Sequence, residues 1–365
     1  MPVEAGRSAM TVKSAQGDYE VSRLSGSADV PAMIRGLSDP FVVIDARVAE
    51  FHPGVLSGIE DRRVYTIPVT EEEKTLAGVE RLSVFLQQSG ASKGSSLAVI
   101  GGGIVQDIGT FAAHIYYRGI PLHYVPTTLL SMGDSCIGAK CGVNLGAYKN
   151  QLGFFRSPAK VYVWPGFLQT LPLDDVRSGL GEIVKLAIIS GPESFSVLER
   201  RFERSGTSLE GIDEAIYASL ETKRRVIEID EYERDLRKTL NYGHTFGHAL
   251  EAVTQHEVPH GLAVAWGMDL ANYVAMGKGL LPESEFTRIH ALLSQWFSLD
   301  VAHDYDAQSV LESMRRDKKA TASSVTLILP RAMGDLQLVP TPLDDPLAES
   351  IADYIKRFDI FRKRR

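Results

Sequence analysis

The stretch SLAVIGGG, residues 96–103, decides the fold that this sequence predicts. Its central residues, Leu97 to Ile100, form an uninterrupted apolar run, which is typical of a strand buried in a parallel sheet. Three glycines follow at once, so the strand ends in a tight turn. Upstream, residues 64–69 (VYTIPV) predict another strand and residues 76–88 a helix. The order strand, helix, strand favours a βαβ unit.

Further elements extend this unit in both directions along the chain. Residues 40–45 (PFVVID) and 122–128 (LHYVPTT) predict strands, residues 107–117 a helix, and residues 10–24 one or two edge strands. Thr70 and Glu73 have the spacing of a capping box for the helix over 76–88. The sequence therefore predicts an α/β N-terminal domain with a parallel-type, Rossmann-like sheet.

Polar groups and glycines at the strand ends have two interpretations each. The glycines at 101–103 let backbone amides approach a phosphate, or they only form a tight turn. Gln106 replaces the last glycine of the dinucleotide fingerprint. Asp45 could meet a ribose hydroxyl or cap the next helix. Residues 133–153, rich in glycine, lysine and asparagine, are typical of an anion-binding loop or of a solvated loop.

After residue 165 the pattern changes from strands to helices. One helix is predicted to begin near Asp174, where acidic residues favour a helix start. The other predicted helices lie at 206–229, 242–254, 263–278, 282–297, 307–314 and 347–358, with a strand pair at 325–329 and 334–339. The sequence thus predicts two domains, 1–170 and 171–365, of which the second is mostly α-helical.

The motif NYGHTFGH, residues 241–248, concentrates potential metal ligands together with His260. His244 and His248 are four residues apart, so in a helix both imidazoles lie on one face. Neutral imidazole is the commonest protein ligand for divalent transition metals. The alternative is two histidines that face the core and one in a loop. The spacing alone leaves both interpretations open.

The composition excludes several classes of protein. The net charge is −7 and the sequence pI is about 5.8, whereas nucleic-acid-binding domains are usually basic. Cys136 and Cys141 are the only cysteines, which favours reduced thiols over a disulfide framework. The first residues lack the apolar core of a signal peptide, and no apolar run approaches the roughly 18 residues that span a bilayer. We expect a cytoplasmic enzyme with neither a nucleic-acid nor a membrane partner.

Between Asp45 and Met333 the sequence holds an ordered set of spaced motifs. They are Glu71-x-x-Lys74, Gly101-Gly102-Gly103-x-x-x-Asp107, Tyr117-Arg118-Gly119, Pro126-Thr127-Thr128-Leu129, Asp134-Ser135, Lys140, Lys149-Asn150, Gly181-Glu182-x-x-Lys185, Lys223, Arg237, Asn241-Tyr242-Gly243-His244-x-x-Gly247-His248, His260-Gly261 and Asp317-Lys318-Lys319. Together they resemble the sugar phosphate cyclases, and most closely the 3-dehydroquinate synthase family.

This resemblance implies an NAD-binding N-terminal domain and a helical, dehydroquinate synthase-like C-terminal domain, paired as a homodimer. It also implies a divalent metal, zinc or cobalt, held by Glu182, His244 and His260, with His248 on the substrate instead. The residues implied to contact NAD are Asp45, Glu71, Lys74, Gly102, Gly103, Asp107, Thr127, Thr128, Lys149 and Thr170. The implied catalytic and substrate-binding residues are Asp134, Lys185, Lys223, Arg237, Asn241 and His248. Those implied for the substrate phosphate are Arg118, Lys140, Asn150, Lys318 and Lys319.

The reaction implied for a sugar phosphate substrate is transient oxidation by NAD, elimination of phosphate, reduction and an intramolecular aldol closure. Arg237 and Asn241 match positions that meet a substrate carboxylate, and a planar guanidinium suits such a group. They favour conversion of 3-deoxy-arabino-heptulosonate 7-phosphate to 3-dehydroquinate. Ala139, in place of a glycine, departs from that pattern. The segment 144–149 also departs from it and looks nearer to the secondary-metabolism cyclases, which act on sedoheptulose 7-phosphate or another sugar phosphate. A metal-dependent alcohol or glycerol dehydrogenase is the alternative from another class.

Overall fold

The computed structural model describes residues 9–146, 148–298, 301–316 and 324–361. The chain forms two compact units, which divide between Pro172 and Leu173. We refer to them as the N-terminal and C-terminal units. Lys318 and Lys319, both expected at the substrate phosphate, lie outside the described residues.

The N-terminal unit is built mainly from strands joined by helices. In chain order its elements are β1 Ala9–Val12, β2 Tyr19–Arg23, α1 Asp29–Arg35, β3 Pro40–Asp45, α2 Ala46–Phe51, β4 Val64–Ile67, α3 Leu76–Gln88, β5 Ser96–Gly101, α4 Gly103–Ile115, β6 Leu122–Pro126, β7 Lys140–Leu145, β8 Tyr148–Phe155 and β9 Lys160–Val163. The predicted parallel-type sheet is confirmed. Strand β9 was missed.

Within the described residues, seven strands form one sheet in the order β1-β2-β9-β6-β5-β3-β4. All neighbours are parallel except β1 and β2. The chain passes from β3 outward to β4 and then returns to the other side of β3 to form β5. The strand order therefore reverses between β3 and β5, and open α/β sheets bind ligands outside the carboxyl ends of strands at such a reversal.

Two local expectations in this unit were wrong. The cap of α3 is Thr75, whose hydroxyl accepts a hydrogen bond from the Gly78 amide, while Thr70 makes no such bond with its side chain. Residues 71–73 form a separate short 3₁₀ helix, so the Thr70–Glu73 spacing marks a turn ahead of the helix. Helix α4 begins at Gly103, four residues earlier than expected, directly behind the glycine turn.

The polar, glycine-rich segment 133–153 was expected to be a loop, and most of it is an antiparallel hairpin. Strands β7 and β8 pair from Lys140 opposite Phe155 to Leu145 opposite Tyr148. Their side chains are too polar to give an alternating apolar pattern, since most of β8 is exposed. The hairpin is held instead by bonds to buried groups of the unit, described below.

The C-terminal unit is mostly helical, as expected. Its elements are α5 Leu173–Ser190, α6 Pro192–Ser205, α7 Ile212–Ile229, a 3₁₀ helix Leu236–Asn241, α8 His244–Val253, α9 His260–Gly277, α10 Glu283–Trp296, α11 Ala307–Arg315, β10 Ser324–Ala332, β11 Asp335–Pro342 and α12 Asp345–Arg357. Helix α6 was missed. Pro192 opens it at the first helical position, where proline is tolerated.

Helix α9 is the centre of this unit. Fourteen of its 18 residues are buried, and it packs against α5, α8, α10, α12 and β10. A helix that is apolar on all sides must be surrounded by other elements. Among the described residues, none of the helices has the length and apolar character that crossing a bilayer requires.

Candidate metal centre and nucleotide site

Glycines bring three helices of the C-terminal unit unusually close together. A Cβ on Gly261 of α9 would lie 1.8 Å from the Ser178 carbonyl oxygen of α5, and one on Gly267 would lie 2.0 Å from the Gly243 carbonyl oxygen. Only glycine permits such backbone approaches. The Ser178 hydroxyl accepts a hydrogen bond from the Gly261 amide at 2.9 Å. The helices that carry the candidate ligands therefore meet at their glycines, next to those ligands in the chain.

This packing gathers one carboxylate and three imidazoles. The Oε1 atom of Glu182 lies 3.6 Å from Nε2 of His244 and 3.4 Å from Nε2 of His260. Ring nitrogens of His244, His248 and His260 all lie within 4.8 Å of one another. Glu182 is buried, and His248 is exposed. The four side chains that were expected near the metal and the substrate therefore converge.

Hydrogen bonds orient the two imidazoles that face Glu182. Nδ1 of His244 lies 3.2 Å from the Tyr242 carbonyl oxygen, which can only accept, so Nδ1 carries the hydrogen. Nδ1 of His260 lies 3.3 Å from both oxygens of Glu251. Both rings thus turn Nε2 toward Glu182. Histidines that bind metals are oriented in this way by a carbonyl or carboxylate behind the ring.

The charges around this cluster are strongly coupled. Burial would raise the pKa of the Glu182 carboxyl, but the Lys185 ammonium and the His260 imidazole reverse this and hold the pKa below its usual value. Burial would lower the pKa of His260, but bonds to Glu182 and Glu251 raise it to about 10. Burial, followed by the Lys185 charge, lowers the pKa of His244. His244 is therefore neutral, and His260 is the imidazole that balances the two carboxylates.

These residues fit a divalent metal ion. With the hydrogen on Nδ1, the Nε2 lone pair of His244 faces the Glu182 Oε1 atom at 3.6 Å, so both atoms can bind one metal ion. Without a metal, Lys185 and protonated His260 supply the positive charge beside Glu182. A carboxylate with two imidazoles is a ligand set for zinc-like ions that leaves coordination positions open.

Sequence reasoning missed Glu251, which orients His260. The signal was present, because Glu251 follows His248 by three residues and His244 by seven, and therefore lies on the same face of α8. It also missed Glu233, whose carboxylate accepts a hydrogen bond from the Asn241 side chain at 2.6 Å. Glu233 lies outside regular helix or strand, where spacing predicts no contacts.

Arg237 and Asn241 stand at the two ends of the same short helix, Leu236–Asn241, which packs against α5 and α7. Arg237 is only 2% exposed. Its guanidinium donates a hydrogen bond to the Glu231 carbonyl, and its backbone amide donates one to the Asp230 carboxylate at 3.0 Å. Lys185 on α5 pairs with Glu182, and Lys223 on α7 is also buried. The cationic side chains that are expected to bind substrate in this unit are thus buried, and they lie on helices that pack against one another.

In the N-terminal unit, five of the expected cofactor residues lie at the carboxyl ends of β3, β5 and β6, namely Asp45, Gly102, Gly103, Thr127 and Thr128. The backbone at Gly103 is open, because a Cβ there would meet no atom within 4 Å, and it starts α4. Helix N-termini favour phosphate. Thr127 follows β6, and its buried hydroxyl makes no hydrogen bond within the described part of the chain. An open helix N-terminus beside an unpartnered hydroxyl, at the strand reversal, fits a dinucleotide.

In this structure Asp45 caps a helix, which is one of its two predicted roles. Its carboxylate accepts a hydrogen bond from the Arg47 amide at 2.8 Å and caps α2. Burial raises the pKa of Asp45, while that bond opposes the rise. The ribose interpretation stays a prediction. Thr170, expected at the cofactor, lies 2.7 Å from Nε2 of His52, a residue that sequence reasoning missed.

Some of the other expected cofactor residues are held by bonds between side chains. Lys74 pairs with Asp107 at 2.6 Å, and Thr128 bonds Ser131 at 2.9 Å. Burial raises the pKa of Asp107, and the Lys74 charge opposes this. Exposed positions are occupied by Arg118, Lys140, Lys149 and Asn150, while Asp134 is half-buried.

The chain matches two family models. These are 3-dehydroquinate synthase N-terminal over residues 64–178 and 3-dehydroquinate synthase C-terminal over residues 179–320. The 3-dehydroquinate synthase of Solibacter usitatus is 38% identical over 286 residues, which cover 78% of this chain and 80% of that protein. This chain belongs to the 3-dehydroquinate synthase family.

Solved structures of sugar phosphate cyclases share the fold. A 2-deoxy-scyllo-inosose synthase complexed with carbaglucose-6-phosphate, NAD+ and Co2+ superposes with a TM-score of 0.82 at 25% identity, over 94% of this chain and 99% of that one. The 2-epi-5-epi-valiolone synthase from Streptomyces hygroscopicus, with NAD+ and Zn2+ bound, has a TM-score of 0.81 at 27% identity, over 93% of this chain and 97% of that one. The expected fold and family are confirmed.

Proposed function

We propose that this chain converts 3-deoxy-arabino-heptulosonate 7-phosphate into 3-dehydroquinate and phosphate, as an NAD- and metal-dependent lyase. The observation that carries this proposal is the buried Arg237, held beside the helices that bear Glu182, Lys185 and Lys223. A fixed, desolvated guanidinium is suited to a planar carboxylate. Family membership supports the same reaction, because the Solibacter relative carries that name.

Glu182, His244 and His260 would hold the metal, with Glu251 and the Tyr242 carbonyl orienting the two rings. When bound, the metal would supply a Lewis acid and NAD a reversible hydride acceptor. Because three protein ligands leave positions open, substrate oxygens can reach the same ion. His248 lies among these imidazoles but is exposed, which suits a contact to substrate better than a structural ligand.

The buried ammonium groups of Lys185 and Lys223 would hold substrate oxygens in this unit. Lys185 is paired with Glu182, so its ammonium group is held beside the proposed metal ligand. Arg237 and Asn241 would take the substrate carboxylate, with Glu233 fixing the Asn241 amide at 2.6 Å. In the N-terminal unit, Asp134 would contact substrate hydroxyls.

NAD would bind at the carboxyl edge of the parallel sheet. The pyrophosphate would lie against Gly102 and Gly103 at the start of α4, where amides and the helix dipole favour an anion. The remaining proposed contacts are Asp45, Glu71, Lys74, Asp107, Thr127, Thr128, Lys149 and Thr170. The substrate phosphate would bind Lys140, Asn150, Lys318 and Lys319, with Arg118 contributed across a homodimer interface.

The homodimer and the cytoplasmic location are part of the same proposal. Both cysteines are free thiols, which suits a reducing compartment. Light scattering of the purified chain should give twice the mass of 40.0 kDa. A monomeric mass would remove the role proposed for Arg118 across an interface and leave the metal centre unaffected.

Phosphate release from three substrates tests the reaction. The purified chain, loaded with NAD and Zn2+ or Co2+, should release phosphate from 3-deoxy-arabino-heptulosonate 7-phosphate. It should release none from sedoheptulose 7-phosphate or glucose 6-phosphate. Turnover of sedoheptulose 7-phosphate alone would transfer the proposal to the secondary-metabolism cyclases, which segment 144–149 resembles. Net accumulation of NADH would instead indicate a dehydrogenase.

Arg237→Ala tests the substrate carboxylate contact. Losing a charge-assisted hydrogen-bonded pair costs about 1.5–3 kcal/mol, so KM for the heptulosonate should rise roughly 10- to 100-fold. Metal content should not change. Arg234→Ala, an exposed arginine three residues away, is the matched control and should leave KM as it was. Equal effects of both changes would refute the role of Arg237.

A further inference from the structure

The buried amide side chain of Asn144 joins two parts of the N-terminal unit. Its Nδ2 donates to Oε1 of Glu71 at 2.7 Å, and its backbone amide donates to the Lys74 carbonyl at 2.8 Å. Its Oδ1 accepts from the Asn150 amide at 2.9 Å. Both ends of one amide are therefore occupied, one by the turn at 71–74 and the other by the hairpin.

The Asn150 end of this connection has a left-handed backbone conformation. Asn150 has a φ of +52°, in a region that asparagine adopts more readily than most residues other than glycine. Its side chain is exposed, so packing does not hold it there. The bond from its amide to the buried Asn144 supports this conformation and thus directs the Asn150 side chain.

A second set of bonds also joins the turn at 71–74 to the hairpin. Lys74, at the end of the same turn, pairs with Asp107, and the other oxygen of Asp107 accepts from the Gly142 amide of the hairpin at 3.1 Å. A Cβ on Gly142 would lie 3.3 Å from the Asn150 Cβ. The turn at 71–74 and the hairpin are thus fixed to each other on two sides, and Asn144 is the member that reaches Asn150 directly.

We propose that Asn144 is a positioning residue that couples the binding of NAD to the binding of phosphate. The inference rests on the proposed function, in which Glu71 and Lys74 contact NAD and Asn150 contacts the substrate phosphate. A ligand that orders Glu71 also fixes the Asn144 amide, which then holds Asn150 in its left-handed conformation. The ligand that binds second does not have to order these residues again. Each ligand therefore raises the affinity of the chain for the other, and by the same factor.

NAD+ titrations of the full chain, with and without saturating inorganic phosphate, measure this coupling. In the unaltered chain phosphate should lower the Kd for NAD+ by about fivefold or more, the lower end of common allosteric couplings. Asn144→Asp keeps the acceptor for the Asn150 amide but sets one carboxylate against another at Glu71. The ratio of the two Kd values should then fall close to 1.

Three further variants separate this role from a general disturbance of the unit. Glu71→Gln keeps an oxygen acceptor for Asn144 and should preserve the ratio, whatever it does to NAD+ affinity itself. Asn144→Asp combined with Glu71→Gln restores a donor and an acceptor and should recover the ratio. Gln151→Glu makes the same amide-to-acid change at an exposed position of the hairpin and should leave the ratio unaltered.

The outcomes distinguish this inference from the proposed function. If the unaltered chain binds neither NAD+ nor phosphate, the proposed function fails. If it binds both without mutual tightening, or if Asn144→Asp keeps the full ratio, only the coupling role is overturned. Should Asn144→Asp fail to fold, as judged by circular dichroism, Glu71→Ala removes the same bond from the half-buried side and must also bring the ratio close to 1.

Discussion

The candidate sites of the two units are assembled by different means. In the C-terminal unit, Glu182, His244 and His260 each lie beside a glycine at a close contact between helices. The Glu182 carboxylate is buried, and its Oε1 atom lies 3.4 Å from Nε2 of His260 and 3.6 Å from Nε2 of His244. In the N-terminal unit, many candidate residues lie on turns and a hairpin, where backbone amides and side-chain bonds such as Asn144 to Glu71 hold them.

This difference predicts different sensitivities to mutation. A buried cluster of charges has no water to compensate a lost partner, so single substitutions there should be severe. Turns and hairpins hold their residues by several weaker bonds that water can partly replace. Substitutions in the N-terminal unit should therefore alter affinity and coupling more than stability.

The largest effect is expected for His260→Ala. This change removes a proposed ligand, so metal content should fall below stoichiometric levels and kcat by about a thousandfold or more, since a metal contributes several kcal/mol. Elemental analysis and the phosphate-release assay check both. His256→Asn, at a nearby exposed left-handed position that asparagine tolerates, should change neither. Full metal content in His260→Ala would exclude His260 as a ligand.

The next effect concerns stability and compares the two units directly. Glu182→Gln leaves Lys185 buried without its counter-charge, which should lower the free energy of unfolding by about 3–5 kcal/mol. Asp107→Asn makes the same change beside Lys74. The side chains of Lys74 and Asp107 are 11% and 19% exposed, whereas those of Lys185 and Glu182 are 3% and 2% exposed. Asp107→Asn should therefore lower the free energy of unfolding by less than Glu182→Gln.

Denaturant unfolding in the presence of a chelator measures both variants. Replacing the ammonium as well, in Glu182→Gln with Lys185→Met, should recover most of the lost stability, because no unpaired charge remains buried. Equal costs for Glu182→Gln and Asp107→Asn would contradict the distinction drawn between the two sites.

A smaller effect is expected for Glu251→Gln. The amide removes the negative charge behind His260 but keeps the size of the side chain, and loss of such an orienting carboxylate typically weakens metal binding about 10- to 100-fold. Competition with a chromophoric chelator measures the Kd for Zn2+. Glu257→Gln, whose carboxylate binds His303 instead, is the matched control and should retain the original Kd.

The smallest effect is expected for Ala139→Gly in the N-terminal unit. Ala139 has a φ of +63°, where its Cβ is strained and glycine is not. After allowance for the entropy of glycine in the unfolded chain, stability should rise by about 0.5–1 kcal/mol. Thermal unfolding detects this, and metal content should not change. A lower melting temperature would show that the Ala139 methyl stabilises the hairpin by more than its strain costs.

Much of the fold followed from local patterns. The strand over 40–45 and the helix over 76–88 end where they were predicted, because apolar periodicity is set by the strand and helix repeat alone. The spacing of His244 and His248 likewise placed both rings on one face of α8. The hairpin of β7 and β8 could not be found this way, since buried partners outside the hairpin hold its polar strands.

The sequence by itself determined which residues are available, that is, the order of strands and helices, the family motifs and the ligand types. Only the tertiary structure decided which of them meet. Glu182 reaches His260 because glycines let α5 and α9 touch, and Asn144 reaches Glu71 because the hairpin pairs back toward that turn. Spacing within an element is fixed by its helical or extended repeat, whereas contacts between elements depend on how the whole unit packs.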